Sequence, residues 1–452
     1  MNPIKPLFLL SLMLLSACTI KPVKKRLDVQ EGMYAITSVS VVDVENGVVI
    51  PMQTVIVMDG RIAQISESGT VNIPHGATVI DGQGLYLMPG LVDAHVHFLD
   101  APVFGRLLIA NGVVLVRDMG MPNDTILPLR DALNQGEILG PDMVATGFIL
   151  DGDPALIPQI SLGIKDPEEG RLVVGEQVDA GVDMIKVYST LDQDTFLAIL
   201  EEAHIHGLKV VGHVPDSIYI EDAVEAGLDS MEHYFGFEKV IAKLLGEPVK
   251  LTYSGMGSQA DYLVRLGEVD PAVLQDVYQR LKDSGLTVVP TVVTFRNYPD
   301  LDVVDFGYLE GFEYLSPTVI AYWTSQMAGQ DEMDEAIWQN WAEIVRGLNQ
   351  AGVPLMVGTD LMVPGIIPGY AVHDEMLIWQ EAGIPAGDIL RSATLVPAQF
   401  MGLGDRLGSV DEGKTASMVL VSANPLEDIR NARKIEGVFL RGNYFSRQDL
   451  DT

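Results

Sequence analysis

Short apolar segments alternate with helical patterns through the middle of this 452-residue chain, and this alternation limits the folds open to it. Eight segments have the length and apolar character of buried strands: 91–95, 113–116, 143–146, 184–187, 209–212, 230–233, 287–291 and 355–358. Helical patterns lie between or after them, at 126–134, 168–180, 194–206, 222–226, 272–283, 331–350 and 373–381. Parallel strands joined by helical crossovers have this pattern. We therefore expect an α/β fold with a (β/α)8 TIM barrel, whose functional side chains lie at the carboxyl ends of the strands.

Both ends of the chain have a β-only pattern instead. Residues 33–86 and 405–447 contain short β-branched runs separated by turn signals. Two such segments at opposite ends of a chain usually pair, so they predict a small β-sandwich domain beside a barrel over residues 87–404. The segment at about 295–353, between the last two predicted strands, is expected to be an insertion over the mouth of the barrel.

Residues 1–17 have the features of an export signal. A lysine precedes an apolar run that is too short to span a bilayer, and small residues follow it. The sequence LSAC at 15–18 resembles the bacterial lipoprotein box, which makes Cys18, the single cysteine, the expected lipidation site. Residues 18–32 are then a basic tether. We expect an exported bacterial lipoprotein in the periplasm, held at the outer membrane through Cys18.

The charge balance bears on the partners. The chain has 62 acidic and 29 basic residues, which gives a net charge of −33. A field of that sign repels phosphate backbones, so we expect no nucleic-acid partner. The expected partners are a small-molecule or short-peptide substrate and, through the lipid, a membrane.

Polar residues interrupt or close the predicted barrel strands. His95 and His97 stand two residues apart on one strand, so their imidazoles share a face and can reach one metal ion. Lys186 lies within an otherwise apolar strand. Because burying an unpaired ammonium costs several kcal/mol, this lysine must be paired, neutral or modified.

Further polar residues also stand at the ends of predicted strands. His213, His233 and Asp360 close or directly follow predicted strands. In a barrel, side chains at these positions converge on the axis at one face. The full set of candidate site residues is His95, His97, Lys186, His213, His233 and Asp360. Tyr188 and His373 are expected to reach the pocket as substrate-binding residues, the first as a carbonyl or carboxylate partner and the second as a donor from a loop.

The motifs that contain these residues resemble those of the amidohydrolase superfamily in its binuclear form. Within that superfamily, the chain resembles the imidazolonepropionase-like and Xaa-Pro dipeptidase-like members. The resemblance covers nearly the whole chain after the export signal and rests on LMPGLVDAHVH at 87–97, VRDMG at 116–120, IKVY at 185–188, GTD at 358–360 and LGSV with GK at 407–414.

This resemblance implies a mechanism. His95 and His97 would bind one divalent metal ion and His213 and His233 a second, with zinc as the expected metal. A carboxylated Lys186 would bridge the two ions, and Asp360 would bind the first ion and act as the catalytic general base. A metal-bridging hydroxide would then cleave a C–N bond in an amide, dipeptide or cyclic amide.

Other functions stay open on the sequence. A mononuclear deaminase or imidazolonepropionase-type hydrolase needs one metal ion and no lysine on the fourth strand. Deaminases of the superfamily tend to place a Glu soon after the His of the fifth strand, where this chain has VPD at 214–216. An esterase or lactonase could use the same metals, and a relic barrel could be a non-catalytic binding lipoprotein. A decayed enzyme would normally have lost at least one of the six candidate ligands, whereas this chain keeps them all.

Overall fold

The computed structural model describes residues 32–249, 251, 260–297, 307, 309–327 and 334–451. The export signal, Cys18 and all but the last residue of the tether lie outside the described residues, so these features stay predictions. Within the described ranges, no helix combines the length and the apolar character needed to cross a membrane.

The elements of the described residues alternate as follows. The strands are β1 Tyr34–Asp43, β2 Val48–Met58, β3 Arg61–Glu67, β4 Thr78–Asp81, β5 Tyr86–Pro89, β6 Leu91–Val96, β7 Val113–Asp118, β8 Asp142–Ala145, β9 Ile149–Gly152, β10 Ser161–Ile164, β11 Ile185–Val187, β12 Val210–Gly212, β13 Ser230–Glu232, β14 Thr287–Val289, β15 Met418–Val421, β16 Ile435–Leu440 and β17 Asn443–Ser446. The helices are α1 Ala101–Ala110, α2 Asn123–Asn134, α3 Pro167–Ala180, α4 Gln193–Ile205, α5 Ile220–Glu225, α6 Phe237–Leu244, α7 Asp261–Val264, α8 Pro271–Ser284, α9 Val292–Asn297, α10 Pro317–Met327, α11 Glu335–Ala351, α12 Tyr370–Glu381, α13 Ala386–Ser392, α14 Leu395–Phe400 and α15 Arg447–Leu450.

Strands from both chain ends form one sheet. Its order is β17-β16-β15-β5-β1-β2-β3, with β4 paired to β1. The junction is the antiparallel pair β5–β15, in which Met88 lies opposite Val419. Ile36 and Val55 from the N-terminal strands share a buried cluster with Met418 and Phe439. The predicted pairing of the two ends is therefore confirmed, while the domain limits given above stay a prediction.

The predicted barrel is also confirmed. Two parallel sheets, β6-β7-β8 and β10-β9-β11-β12-β13-β14, form its wall. Between β14 and β6, residues 355–357 complete the wall: Leu355 bridges Val288 of β14, and the Ala94 N–H of β6 donates to the Val357 carbonyl at 2.9 Å. Between β8 and β11, the Asp183 N–H donates to the Ala145 carbonyl at 2.9 Å.

Two features of the wall differ from the sequence prediction. The eighth predicted strand, 355–358, has only the isolated bridge at Leu355. The short strands β9 and β10 were not predicted, because four-residue segments such as Ile149–Gly152, which ends in Asp and Gly, have weak strand signals.

Alternation along the strands builds the barrel core. Val92, Leu115, Val144, Val211 and Val289 belong to one buried cluster inside the barrel. Their neighbours in the chain, among them Val116 and Val210, belong to the cluster that packs against the outer helices. This period of two fills the interior with apolar side chains and leaves the carboxyl ends of the strands to carry polar residues.

The segment 295–353, predicted to be an insertion, includes helix α11 of the outer ring. Helix α11 packs against α7, α8, α9 and α12, as a helix of the outer ring does. The Trp341 indole on α11 is fully buried and donates to the Pro290 carbonyl at 3.0 Å. The extra part of the segment therefore precedes α11.

Gly212 gives a test of the strand packing beside the site. Its φ is +139°, and a Cβ there would lie 2.2 Å from the Val187 carbonyl oxygen of the adjacent strand. We expect Gly212→Ala to lower the free energy of unfolding, measured by urea denaturation, by about 2–4 kcal/mol.

The matched control is Gly175→Ala in helix α3, where a Cβ meets nothing within 4 Å. That change should raise stability by up to about 1 kcal/mol through helix propensity. Equal stability of the two variants would contradict the packing described for Gly212.

Candidate metal centre and active site

Five of the six candidate ligands lie on or directly after barrel strands, and Asp360 follows the segment that bridges β14 at Leu355. His95 is in β6 and Lys186 in β11, while His213 and His233 directly follow β12 and β13. The four imidazoles cluster. The ring centres of His95 and His233 are 4.8 Å apart, those of His213 and His233 are 5.1 Å apart, and those of His95 and His97 are 5.6 Å apart.

Asp360 faces three of these rings. Its Oδ1 lies 3.4 Å from His95 Nε2 and 3.5 Å from His97 Nε2, and its Oδ2 lies 3.9 Å from His233 Nε2. One donor atom from each of His95, His233 and Asp360 falls within 4.8 Å of the others. Such separations are long for good hydrogen bonds and suit donor atoms about 2 Å from a common ion.

Each imidazole turns its Nδ1 away from the cluster to an outer partner. His95 Nδ1 donates to the Glu232 carboxylate at 2.8 Å, and His97 Nδ1 donates to the Gly120 carbonyl at 2.9 Å. These two partners only accept, so Nε2 of both rings carries the lone pair that faces Asp360.

The other two rings have hydroxyl partners. Ser189 Oγ lies 2.8 Å from His213 Nδ1, and Thr291 Oγ1 lies 2.6 Å from His233 Nδ1. Metal-binding histidines are normally oriented by such a bond on the other ring nitrogen. The donor set thus fits divalent cations.

Burial sets the charge of the cluster. It lowers the pKa of His95, His213 and His233 well below the usual value, and it lowers the pKa of His97 to about 4. The charge of Lys186 adds to each effect. All four imidazoles are therefore neutral near pH 7, which is the form that binds metal ions.

Burial shifts the pKa values of Lys186 and Asp360 in opposite directions. Burial lowers the pKa of the Lys186 amine to about 8, against the attraction of Glu232 and Asp360. Burial raises the pKa of the Asp360 carboxyl to about 7, against the attraction of Lys186. Both groups can therefore change protonation near neutral pH.

The backbone is strained at the same place. Asp360 has φ +56°, His233 has φ +61° and Thr291 has φ +46°, all in the left-handed region. Non-glycine residues seldom adopt this conformation, and where they do they tend to mark functional sites.

A buried charge network supports His95 and was missed at the sequence level. Arg117 Nη2 and Ser230 Oγ both donate to Glu232 Oε1 at 2.8 Å, and Arg117 Nε donates to the Ala94 carbonyl at 2.7 Å. Arg117 and Glu232 are both completely buried. The signal was present, because each is a charged residue in a short predicted strand or directly after one, as Lys186 is.

Of the two predicted substrate residues, the structure brings one to the cluster. The Tyr188 ring stacks on His213, with ring centres 4.1 Å apart, and lies 5.9 Å from Lys186 Nζ. His373 is buried on α12, where its Nε2 donates to the Asn111 carbonyl at 3.0 Å. This position beside the end of α1 gives no support to a substrate-binding role for His373.

Aromatic side chains surround the histidines. The Phe235 ring lies 4.5 Å from His213 and 5.3 Å from His233, and Phe295 lies 6.1 Å from His233. Burial, and after it the charge of Asp360, raises the pKa of the Tyr322 phenol on α10. The site therefore combines polar ligands with an apolar wall.

The family model of the amidohydrolase family matches residues 86–444, and the chain therefore belongs to this family. Members are typically metal-dependent hydrolases, in agreement with the cluster around His95, His233 and Asp360.

Three known proteins are similar over most of the chain. The imidazolonepropionase of Thermoplasma acidophilum is 21% identical over 439 residues, which covers 88% of this chain and 90% of that protein. The solved bottromycin amidohydrolase has a TM-score of 0.75 at 23% identity, with coverage of 93% and 88%. A Xaa-Pro dipeptidase solved with bound methionine has a TM-score of 0.66 at 20% identity, with coverage of 92% and 100%. At this level of identity, the two structures show the common fold.

The pKa shifts of Asp360 and Lys186 predict how metal binding depends on pH. Below pH 7 the Asp360 carboxyl is mainly protonated, and a cation must displace that proton. The Lys186 ammonium loses its proton only at higher pH, so both groups act in the same direction. The histidines do not compete, because their pKa values are lowered.

We therefore expect the apparent zinc affinity of the metal-free chain to rise at least about tenfold per pH unit from about pH 6 to 7 and to level off above about pH 9, where Lys186 has also lost its proton. Competition with a chelator of known protonation behaviour would measure it. An affinity that stays constant between pH 6 and 7 would contradict the raised pKa of Asp360.

Proposed function

We propose that this chain is a zinc-dependent hydrolase that cleaves a C–N bond in a small amide, dipeptide or cyclic amide. The observation that carries the proposal is the buried Lys186, whose charge acts on all four candidate histidines and on Asp360, in a chain of the amidohydrolase family. A buried lysine beside the ligands favours a binuclear centre over a mononuclear deaminase, which has no need of that residue.

In this proposal Lys186 is carboxylated. Its neutral amine adds to CO2, the new N–C bond forms as one proton is released, and the product is an anion with two oxygen donors. Burial favours the neutral amine that this addition requires, because it lowers the Lys186 pKa. His95 and His97 would then hold one cation and His213 and His233 the other.

Divalent cations bound here would supply a nucleophilic hydroxide at neutral pH and polarise the scissile carbonyl group. Asp360 takes the proton of the attacking water and later gives it to the leaving nitrogen. A carboxyl with a pKa of about 7 can do both near neutral pH. Tyr188 would contact a carbonyl or carboxylate of the substrate, a role that its stacking on His213 supports.

The aromatic wall suggests the type of substrate. Phe235, Phe295 and Tyr188 offer apolar ring surfaces within about 6 Å of the histidines. Such a wall favours an apolar group next to the scissile bond. Dipeptides and N-acyl amino acids with apolar side chains are therefore the first substrates to test.

Lys186→Met tests the carboxylated lysine. Met fills nearly the same volume without a reactive amine, so the variant should fold. Without the bridging anion we expect fewer than two zinc ions per chain and a fall in kcat/KM of at least about 10³-fold. Metal analysis by plasma mass spectrometry and amine release from a dipeptide panel would measure these effects.

Lys209→Met on the same barrel is the control, since Lys209 lies 4.1 Å from the Phe400 ring, away from the ligands. It should retain both metal ions and full activity. Two zinc ions and normal turnover in Lys186→Met would contradict the carboxylated lysine. Two ions in the wild-type chain without amine release from any C–N substrate would contradict the proposed reaction.

We also propose that the enzyme works in the periplasm, held at the outer membrane by a lipid on Cys18. The LSAC sequence at 15–18 supports this proposal. In the full chain expressed in a Gram-negative host, Cys18→Ser should move the protein from the membrane fraction to the soluble fraction and abolish incorporation of labelled fatty acid. An unchanged distribution would contradict the anchor.

A further inference from the structure

We propose that residues 290–294, the turn after β14 with the first residues of α9 (hereafter the turn), are a positioning element that fixes both His233 and Asp360. Strand β14 supplies none of the candidate ligands, yet its carboxyl end contacts two of them, one directly and one through its neighbour. The inference rests on the proposed metal-dependent function and adds positioning residues to that same site.

The first contact is made by Thr291. This residue is completely buried, and its Oγ1 lies 2.6 Å from His233 Nδ1. The His233 N–H also donates to the Val289 carbonyl at 2.9 Å, so ring and backbone are both tied to the same strand end. Thr291 holds this hydroxyl in place from a left-handed backbone conformation, with φ +46°, which is costly for a β-branched residue.

The second contact is made by Thr294. Its Oγ1 donates to the Thr359 carbonyl at 2.9 Å, and Thr359 directly precedes Asp360. Thr359 is held from the other side by Asp93, which accepts from its hydroxyl at 2.6 Å and from its N–H at 3.0 Å. The backbone that carries Asp360 is thus fixed between β6 and the turn.

Helices of the outer ring hold the turn itself. The buried Glu375 on α12 accepts the N–H groups of Val292 at 3.0 Å and Val293 at 2.6 Å, one with each carboxylate oxygen. The Trp379 indole donates to the same carboxylate at 2.8 Å, and the Trp341 indole on α11 donates to the Pro290 carbonyl at 3.0 Å. Pro290, Val292 and Val293 are therefore each held by a buried side chain outside the site.

This arrangement predicts that metal binding depends on the hydroxyl group of Thr291. Thr291→Val keeps the side-chain shape and removes only the hydroxyl, so the His233 ring loses its outer partner. We expect zinc to bind about 10- to 100-fold more weakly. Thr291→Ser restores the hydroxyl and should bind within about threefold of the wild type.

Glu375→Gln tests the more distant anchor, because an amide offers one acceptor oxygen to the three N–H groups of Val292, Val293 and Trp379. It should weaken zinc binding as well, whereas Asp374→Asn on the same helix should not. Asp374 pairs with Arg433 at 2.8 Å instead of with the turn.

The measurement is zinc affinity of the full chain by chelator competition, with the melting temperature recorded for each variant. Wild-type affinity in both Thr291→Val and Glu375→Gln would overturn the proposal, and so would an equal loss in Thr291→Ser. If Thr291→Val does not fold, Thr294→Val against Thr294→Ser gives the same comparison at Asp360.

The outcomes separate this inference from the proposed function. A wild-type chain that binds two zinc ions but hydrolyses no C–N bond removes the proposed reaction and leaves the positioning test intact. A chain that binds no zinc overturns both.

Discussion

The buried carboxylate of Glu232 is the interaction on which the rest of the site depends. An unpaired charge in the interior of a barrel would cost several kcal/mol, and Arg117 offsets that cost with a charge-assisted hydrogen bond at 2.8 Å. The second carboxylate oxygen is then free to accept from His95. The pair therefore links β7 and β13 to the ligand on β6 and fixes which nitrogen of His95 faces the cluster.

The other imidazoles are held by neighbouring strands in the same way. His97 after β6 bonds to Gly120 after β7, His213 after β12 bonds to Ser189 after β11, and His233 after β13 bonds to Thr291 after β14. Each ligand is thus oriented by the carboxyl end of the strand beside its own. Ligands preorganised in this way need little rearrangement to receive a cation, which is a condition for precise metal geometry.

The sequence was sufficient to predict the barrel, the pairing of the chain ends and the convergence of His95, Lys186 and Asp360, because short apolar runs mark the strands and a polar residue at the end of each run marks the site. It was not sufficient for contacts that form only in three dimensions. Arg117 and Glu232 are 115 residues apart, and no local pattern selects one as the partner of the other. His373 lies within a helix, where the strand-end rule gives no information about the direction of the side chain, so its substrate-binding role stays a prediction.

The pairing of β5 with β15 has a consequence for how the protein is made. A ribosome delivers β1–β5 first, the whole barrel next and β15–β17 last. Until the last segment is available, β5 is an edge strand, with open backbone groups beside the apolar face that includes Ile36 and Leu87. A chain that lacks β15 therefore exposes an unpaired strand edge that can pair with other chains, and β15 covers this edge when it is present.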